Sequence, residues 1–361
     1  MKKNRLFLYL SILIFGVLLT ACAGGTGNPT SWPGVTVDME REAIYVANNQ
    51  HVYAVNLASG LEKWRFPQEA DKVTFFAPPV LSSDDQLIVG GYDNLLYSLD
   101  PATGAQKWSF DGAENKYIAG SLVTEEQIFA PNSDNQLYAL TLTGMLDWQF
   151  ETEHDLWGAP VVEGEQIHLT SMDHHVYALN KNSGDLVWQT DDLGGAIAGA
   201  PTLSPDGVLY VGTFGNELVA LDTSNGSELW RFKAENWVWS GPALVDGILY
   251  FGDLSGKLYA LDAQDATPIW QVQPDSSEKR AISSTPLVTE DSVYFVTDGG
   301  ALYAINAESG ATRWSQTIEG RLYTAPVVAG ETVLIAAVDA DAILYAFDQN
   351  GAPKWQFAPE N

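Results

Sequence analysis

Ser98-Leu99-Asp100-Pro101-Ala102-Thr103-Gly104-Ala105-Gln106-Lys107-Trp108 is one copy of a phrase that recurs through the chain. Another copy reads Ala54-Val55-Asn56-Leu57-Ala58-Ser59-Gly60-Leu61-Glu62-Lys63-Trp64. A small residue opens the phrase and Asp or Asn follows two places on. Ser/Thr-Gly comes next, and Trp closes the phrase at the eleventh place. The closing residues are Trp64, Trp108, Trp148, Trp188, Trp230, Trp270, Trp314 and Trp355, at intervals of 40–44 residues. Self-similarity at such a period marks an array whose units cannot bury an apolar face alone, so neighbours must share a core.

Each unit carries four short strand signals separated by turn compositions. In the fourth unit they are Ala159-Pro160-Val161-Val162, Gln166-Ile167-His168-Leu169-Thr170, Val176-Tyr177-Ala178-Leu179 and Leu186-Val187-Trp188-Gln189. No stretch after the amino-terminal segment shows a competing helical period. Eight such units predict an all-β, eight-bladed β-propeller with four-stranded antiparallel blades. The Ser/Thr-Gly pair belongs in the turn between third and fourth strands, where glycine accepts a positive φ. The Asp or Asn before it can bond back to the turn backbone. The Trp is expected to wedge between neighbouring blades. Full burial of an indole removes about 150–250 Å² from water, worth roughly 4–6 kcal/mol gross at about 25 cal/mol per Å². The sixth unit lacks the glycine (Asp262-Ala263-Gln264-Asp265-Ala266-Thr267-Pro268-Ile269-Trp270), and the third lacks the first-strand proline (Ala119-Gly120-Ser121-Leu122). The start at Trp32-Pro33-Gly34-Val35 aligns with Ser240-Gly241-Pro242-Ala243, so the first and eighth blades are each complete. The ring is then expected to close by packing, with no strand exchanged.

The array is preceded by a different kind of sequence. Lys2, Lys3 and Arg5 form a basic start, and Leu6 to Leu19 is an apolar run with the length of a signal-peptide core. It ends at Leu19-Thr20-Ala21-Cys22, which resembles the bacterial lipobox. Residues 1–22 therefore read as a lipoprotein signal peptide ending at a lipidated Cys22, residues 23–31 as a flexible tether, and residues 32–361 as the propeller. Cys22 is the only cysteine, so no disulfide supports the fold. The formal net charge is −28, and removing the basic leader makes the mature chain more acidic still. Such a surface repels phosphate backbones, which argues against nucleic-acid binding. The membrane is expected to be reached through the lipid anchor only.

The phrase Ala-x-Asp-x-x-Thr-Gly-x-x-x-Trp resembles the tryptophan-docking motif of quinoprotein alcohol dehydrogenase-like propellers, also called PQQ repeats. The likeness runs from residue 32 to 357. One branch of that family contains quinone-dependent dehydrogenases, which the resemblance equips with adjacent disulfide-bonded cysteines, a calcium ion held by carboxylates, and an Asp base. The other contains scaffold lipoproteins, the BamB-like outer-membrane assembly proteins. This chain has no cysteine after residue 22 and its units are near minimal length. The reading is therefore a lipid-anchored, non-enzymatic scaffold that binds envelope or membrane proteins, with no cofactor. The alternative is a PQQ-binding quinoprotein, or a sensor of a sugar or other small ligand at the channel mouth. In a two-membrane host the protein would face the periplasm from the outer membrane, since Ala23 lacks the retention signal of an Asp. In a one-membrane host it would sit on the outer face of the cell membrane.

Candidate binding residues come from the segments that precede each first strand. Phe75, Trp157, Trp239 and Tyr323 stand three places before a first-strand proline, with Ile118 in the corresponding place of the third blade. Tyr117, Trp237, Lys72, Lys116, Arg280 and Arg321 lie nearby. Together they are expected to encircle one end of the central channel as a partner- or ligand-binding mouth, because Trp, Tyr and Arg dominate interface hot spots. His154, His168, His174 and His175 cluster in the fourth unit. They read as strand and turn residues, and Asp339-Ala340-Asp341 offers too few oxygens for calcium. No metal site and no catalytic residues are expected.

Overall fold

The computed structural model describes residues 34–70, 73–274, 277 and 280–360. Eight separate four-stranded sheets follow one another along the chain, and each is built from four consecutive strands. They form the eight blades of a propeller, at residues 34–66, 80–110, 122–151, 161–189, 202–233, 243–272, 287–317 and 327–357. Every neighbouring pair of strands is antiparallel. The signal peptide, Cys22, the tether, Trp32 and Lys72 lie outside the described residues.

The apolar cores lie between blades. Ile44 and Val46 of blade one pack with Leu334 and Leu344 of blade eight. Tyr45 and Trp64 of blade one pack with Leu87 and Leu99 of blade two. The same arrangement recurs at the other six joints. The two middle strands of a blade face a neighbour on both sides, so they are almost wholly buried; blade one shows this at Ala43–Asn48 and His51–Asn56. The outer strand has only one covered face and alternates, as in Glu228–Lys233.

The docking phrase builds each joint. Trp64 Nε1 donates to the carbonyl oxygen of Pro101 in the next blade at 3.1 Å. The equivalent bonds run from Trp108 to Leu142, Trp148 to Lys181, Trp188 to Thr223, Trp230 to Ala263, Trp270 to Ala307 and Trp314 to Gln349. Trp355 Nε1 donates to the oxygen of Leu57 at 3.1 Å and closes the ring. The acceptor lies in the turn whose Asp or Asn folds it tightly: Asp100 Oδ1 accepts from the backbone of Ala102 and Thr103. The turn glycine then lies under the indole. Gly104 has φ of 73°, and a Cβ there would stand 2.6 Å from the Trp64 ring. Blades one and eight each supply their own four strands, so the seam closes without a strand exchanged across it, by side-chain packing and the Trp355 hydrogen bond.

Two expectations need correction. The indoles are less buried than full wedges: Trp64 is 8% exposed, whereas the other seven are half-buried, so the gross burial energy is an upper figure for them. Blade one also sits in another register. Thr36 pairs with Tyr45, as Ala243 pairs with Tyr250. Gly34 therefore occupies the place of Gly241, one residue away from the sequence alignment.

Replacing Trp64 by Ala removes a buried indole and one hydrogen bond from a joint. It should destabilise the ring by about 3–5 kcal/mol, read as a lowered urea midpoint; an unchanged midpoint would refute the docking role.

Candidate functional site

Each chain segment that enters a first strand crosses one end of the central channel and alternates its side chains as it arrives. In blade six Trp237 is exposed, Val238 is fully buried and Trp239 is half-buried. Blade eight repeats this with exposed Arg321, buried Leu322 and half-buried Tyr323. The buried member packs into the joint between blades. The half-buried one lines a cavity of about 290 Å³ whose wall includes Phe76, Ile118, Trp157, Trp239 and Tyr323. In blades four, five and six the segments can crowd together because a glycine (Gly158, Gly199, Gly241) comes shortly before the first strand. A Cβ on Gly199 would stand 2.6 Å from the backbone of Gly241.

The structure thus brings Trp157, Trp239, Tyr323 and Ile118 together as expected, but not Phe75 or Tyr117. Phe75 is wholly buried in the joint of blades one and two, and Tyr117, 1% exposed, lies in the joint of blades two and three. Both hold the place of Val238. Phe76 is the channel residue of blade two, because Pro79, not Pro78, precedes the first strand at Val80–Leu81. Arg280 is tied back to blade six, where Nε donates to the Ser255 oxygen at 2.6 Å.

Two aromatic residues that sequence reasoning missed complete the mouth. Phe214 follows the second strand of blade five, stacks on Trp237 with ring centres 4.8 Å apart, and lies 4.8 Å from Trp239. Trp157 is 6.4 Å from Trp239 on the other side. Tyr92, at the matching hairpin place of blade two, stacks on Phe76 at 4.1 Å, and Lys116 Nζ sits 5.0 Å over the Tyr92 ring. The available signal was an aromatic residue where the other hairpins carry Ser133, Met172 or Leu254. The opposite arc is polar. Arg321 Nη1 donates to the Tyr323 hydroxyl at 2.9 Å, and Arg321 Nε is 3.9 Å from Asp339. Burial raises the Asp298 carboxyl above its ordinary value, against the Ser283 hydroxyl bonded to it at 2.7 Å and the nearby Arg321 charge.

The residues do not fit the quinone and calcium arrangement of the dehydrogenase branch. The chain's single cysteine is Cys22, and among the described residues no three of His, Cys, Asp and Glu converge. Asp339 turns toward Arg321.

Comparison with known proteins agrees with this architecture. The family model of outer membrane protein assembly factor BamB matches residues 48–189, 172–289 and 275–361. The chain belongs to that family. It is 27% identical over 215 residues to outer membrane protein assembly factor BamB of Moranella endobia, covering 55% of this chain and 53% of that protein. It is 28% identical over 166 residues to a quinoprotein ethanol dehydrogenase of Pseudomonas aeruginosa, covering 37% of this chain and 25% of that one. The chain thus spans about half or less of the length of these curated relatives. The crystal structure of BamB from Moraxella catarrhalis superposes with a TM-score of 0.72 at 16% identity, covering 88% of this chain and 93% of that one, which shows a shared fold.

The histidines of blade four disperse. His174 takes a left-handed turn position (φ 76°), as Asn94 and Asn135 do in the preceding blades, and its ring lies 3.2 Å from Asp192. His175 Nδ1 bonds the Thr190 oxygen at 2.8 Å, and His154 pairs with Asp155 at 3.1 Å. His168 is fully buried and packs on Trp188, in the slot that Tyr45, Tyr210 and Tyr250 fill beside their own tryptophans. Neither ring nitrogen has a hydrogen-bond partner among the described residues, and Glu163 is 3.7 Å away. Burial lowers the His168 pKa, with Glu163 opposing. The folded state therefore favours the neutral ring, and the unfolded chain takes up the proton first. His168 supports stability fully above the ordinary imidazole value near 6.5 and loses that support as pH falls below it. His51, also lowered by burial, contributes with the same sign. Urea melts should show His168→Tyr losing less stability than the wild type between about pH 7 and 5; parallel pH profiles would contradict this.

Proposed function

We propose that this member of the BamB family is a lipid-anchored, non-enzymatic scaffold that holds envelope proteins at the mouth of its channel. The observation that carries the reading is the continuous aromatic arc from Trp157 through Trp239 and Phe214 to Trp237. Trp237 is 43% exposed. Large aromatics standing in solvent on a chain of net charge −28 are costly unless a partner covers them. Arg321, Tyr323 and Lys116 add hydrogen-bond donors around the arc, which is the composition of an interface core with a polar rim. Partners that act in outer-membrane protein assembly are the natural candidates from the family. The donor set supports a scaffold over a dehydrogenase, because the sequence has no paired cysteines and, among the described residues, no group of carboxylates converges to hold a quinone's calcium. Anchoring through Cys22 would place the propeller outside the cytoplasm, facing the periplasm from the outer membrane.

Three experiments test this. The mature protein, immobilised and exposed to solubilised envelope, should retain partner proteins, and the Trp237→Ala and Trp239→Ala variants should retain about tenfold less, a loss of about 1.4 kcal/mol. Their melting temperatures should stay close to that of the wild type. Equal recovery by the variants would refute the mouth as the binding face. Saturable quinone binding with substrate-dependent dye reduction would replace the scaffold with an enzyme. Cys22→Ala should move the protein from the membrane pellet to the soluble fraction; continued pelleting would refute the lipid anchor.

A further inference from the structure

The eight joints are not equivalent. At seven of them a positive-φ glycine lies beneath the preceding indole, and a Cβ there would stand 2.5–3.0 Å from ring or neighbouring carbon. At the joint of blades five and six that place is held by Ala266, at φ 60°, packed with Trp230. Its methyl group has to be accommodated by a shift of the indole or of the turn. At this joint a cavity of about 790 Å³ opens. It is bounded by the turns that join first to second and third to fourth strands, so it lies on the face opposite the mouth.

Its walls are Leu203, Val208, Tyr210, Leu229, Trp230 and Leu244. The polar groups on its floor are satisfied: Tyr210 OH and Trp230 Nε1 both donate to the Ala263 oxygen, at 3.1 and 3.2 Å. Blades one, two and eight fill this space. Gln86, which holds the place of Val208, bridges Trp108 and Leu142 with bonds of 2.8 and 2.9 Å. In blades one, two and eight the residue before the docking tryptophan is a lysine that reaches over the same turn. Lys63 bonds the Arg41 oxygen at 2.8 Å, Lys107 the Asp85 oxygen at 2.5 Å, and Lys354 the Thr332 hydroxyl at 2.6 Å. Blade five has Leu229 there, 50% exposed, and blades four and six likewise carry exposed Val187 and Ile269, so it is the open cavity beside Leu229 that sets blade five apart. The rim residues Asp206 and Asp246 are exposed, and neither carboxylate bonds or pairs with a described residue.

We propose that this cavity binds a peptide segment presenting a large apolar side chain beside lysine or arginine. The volume lies in the range of ligand pockets. Apolar walls over a floor with no unmet donor suit a hydrocarbon or aromatic side chain. Where blades one, two and eight have a built-in lysine, the two carboxylates at this rim are free to pair with a partner's cation, and the acidic body draws a cationic segment toward them. The site is independent of the channel mouth.

The test uses the mature propeller and a dye-labelled pentapeptide in which two phenylalanines alternate with three lysines, followed by fluorescence anisotropy. Binding should saturate. It should weaken about tenfold or more when the lysines become glutamates, and likewise when the phenylalanines become serines. Leu229→Lys supplies the missing tethered cation and should weaken binding about tenfold, as should Asp206→Asn with Asp246→Asn, while Trp237→Ala leaves it unchanged. Leu229 and both aspartates are surface residues, and the melting temperature of each variant confirms folding. Equal binding by the glutamate peptide, unaltered binding by both cavity variants, or no saturation would overturn the proposal.

Discussion

An indole lying on a glycine turn of the next blade is the contact on which the ring depends. A four-stranded blade has two apolar faces and cannot cover either from its own chain. The docking tryptophan brings the neighbour's turn close, bonds its carbonyl oxygen, and so aligns two faces around a shared core. At seven joints the turn can be approached because the glycine leaves no side chain beneath the ring, and a polar residue such as Asp100 folds the turn back. Eight repetitions convert a local contact into a closed architecture, and Trp355 on the turn of Leu57 and Gly60 completes it. With no strand exchanged across the seam, that last contact carries what covalent continuity supplies at the other seven joints.

The mouth follows from the same geometry. The joints fix where each connecting segment reaches the channel, and the extended backbone then alternates its side chains between joint and channel. This explains how far the site was legible. The tryptophan period, the turn glycines and the folding-back of Asp100 were readable because each rests on local chemistry. Trp157, Trp239 and Tyr323 were readable because a proline marks the register of each first strand. Phe75 was misplaced because blade two carries two prolines, and in extended chain a slip of one residue exchanges the faces. Phe214 and Tyr92 were missed because they come from hairpins far from the connecting segments in sequence, and only the fold makes them neighbours.

Departures from the repeat are informative for a related reason. His168 keeps the ring stacking of its slot without the phenol that lets Tyr45 reach Pro101. Ala266 keeps the left-handed turn without the glycine. Both changes sit inside joints, where neighbouring atoms must adjust, and one of them coincides with an apolar opening. Seven joints keep the turn glycine, and the one joint that carries Ala266 instead is also the one with this apolar opening.

Membership in the BamB family agrees with the eight-bladed propeller. The account stands or falls on the indole–glycine contact, and the seam isolates it. A double-mutant cycle of Trp355→Ala and Gly60→Ala, followed by urea denaturation, measures the coupling directly. Gly60→Ala should destabilise the wild type severely but cost much less once the indole is gone, with a coupling of about 1 kcal/mol or more. Strictly additive effects would contradict the claim that these two groups close the ring.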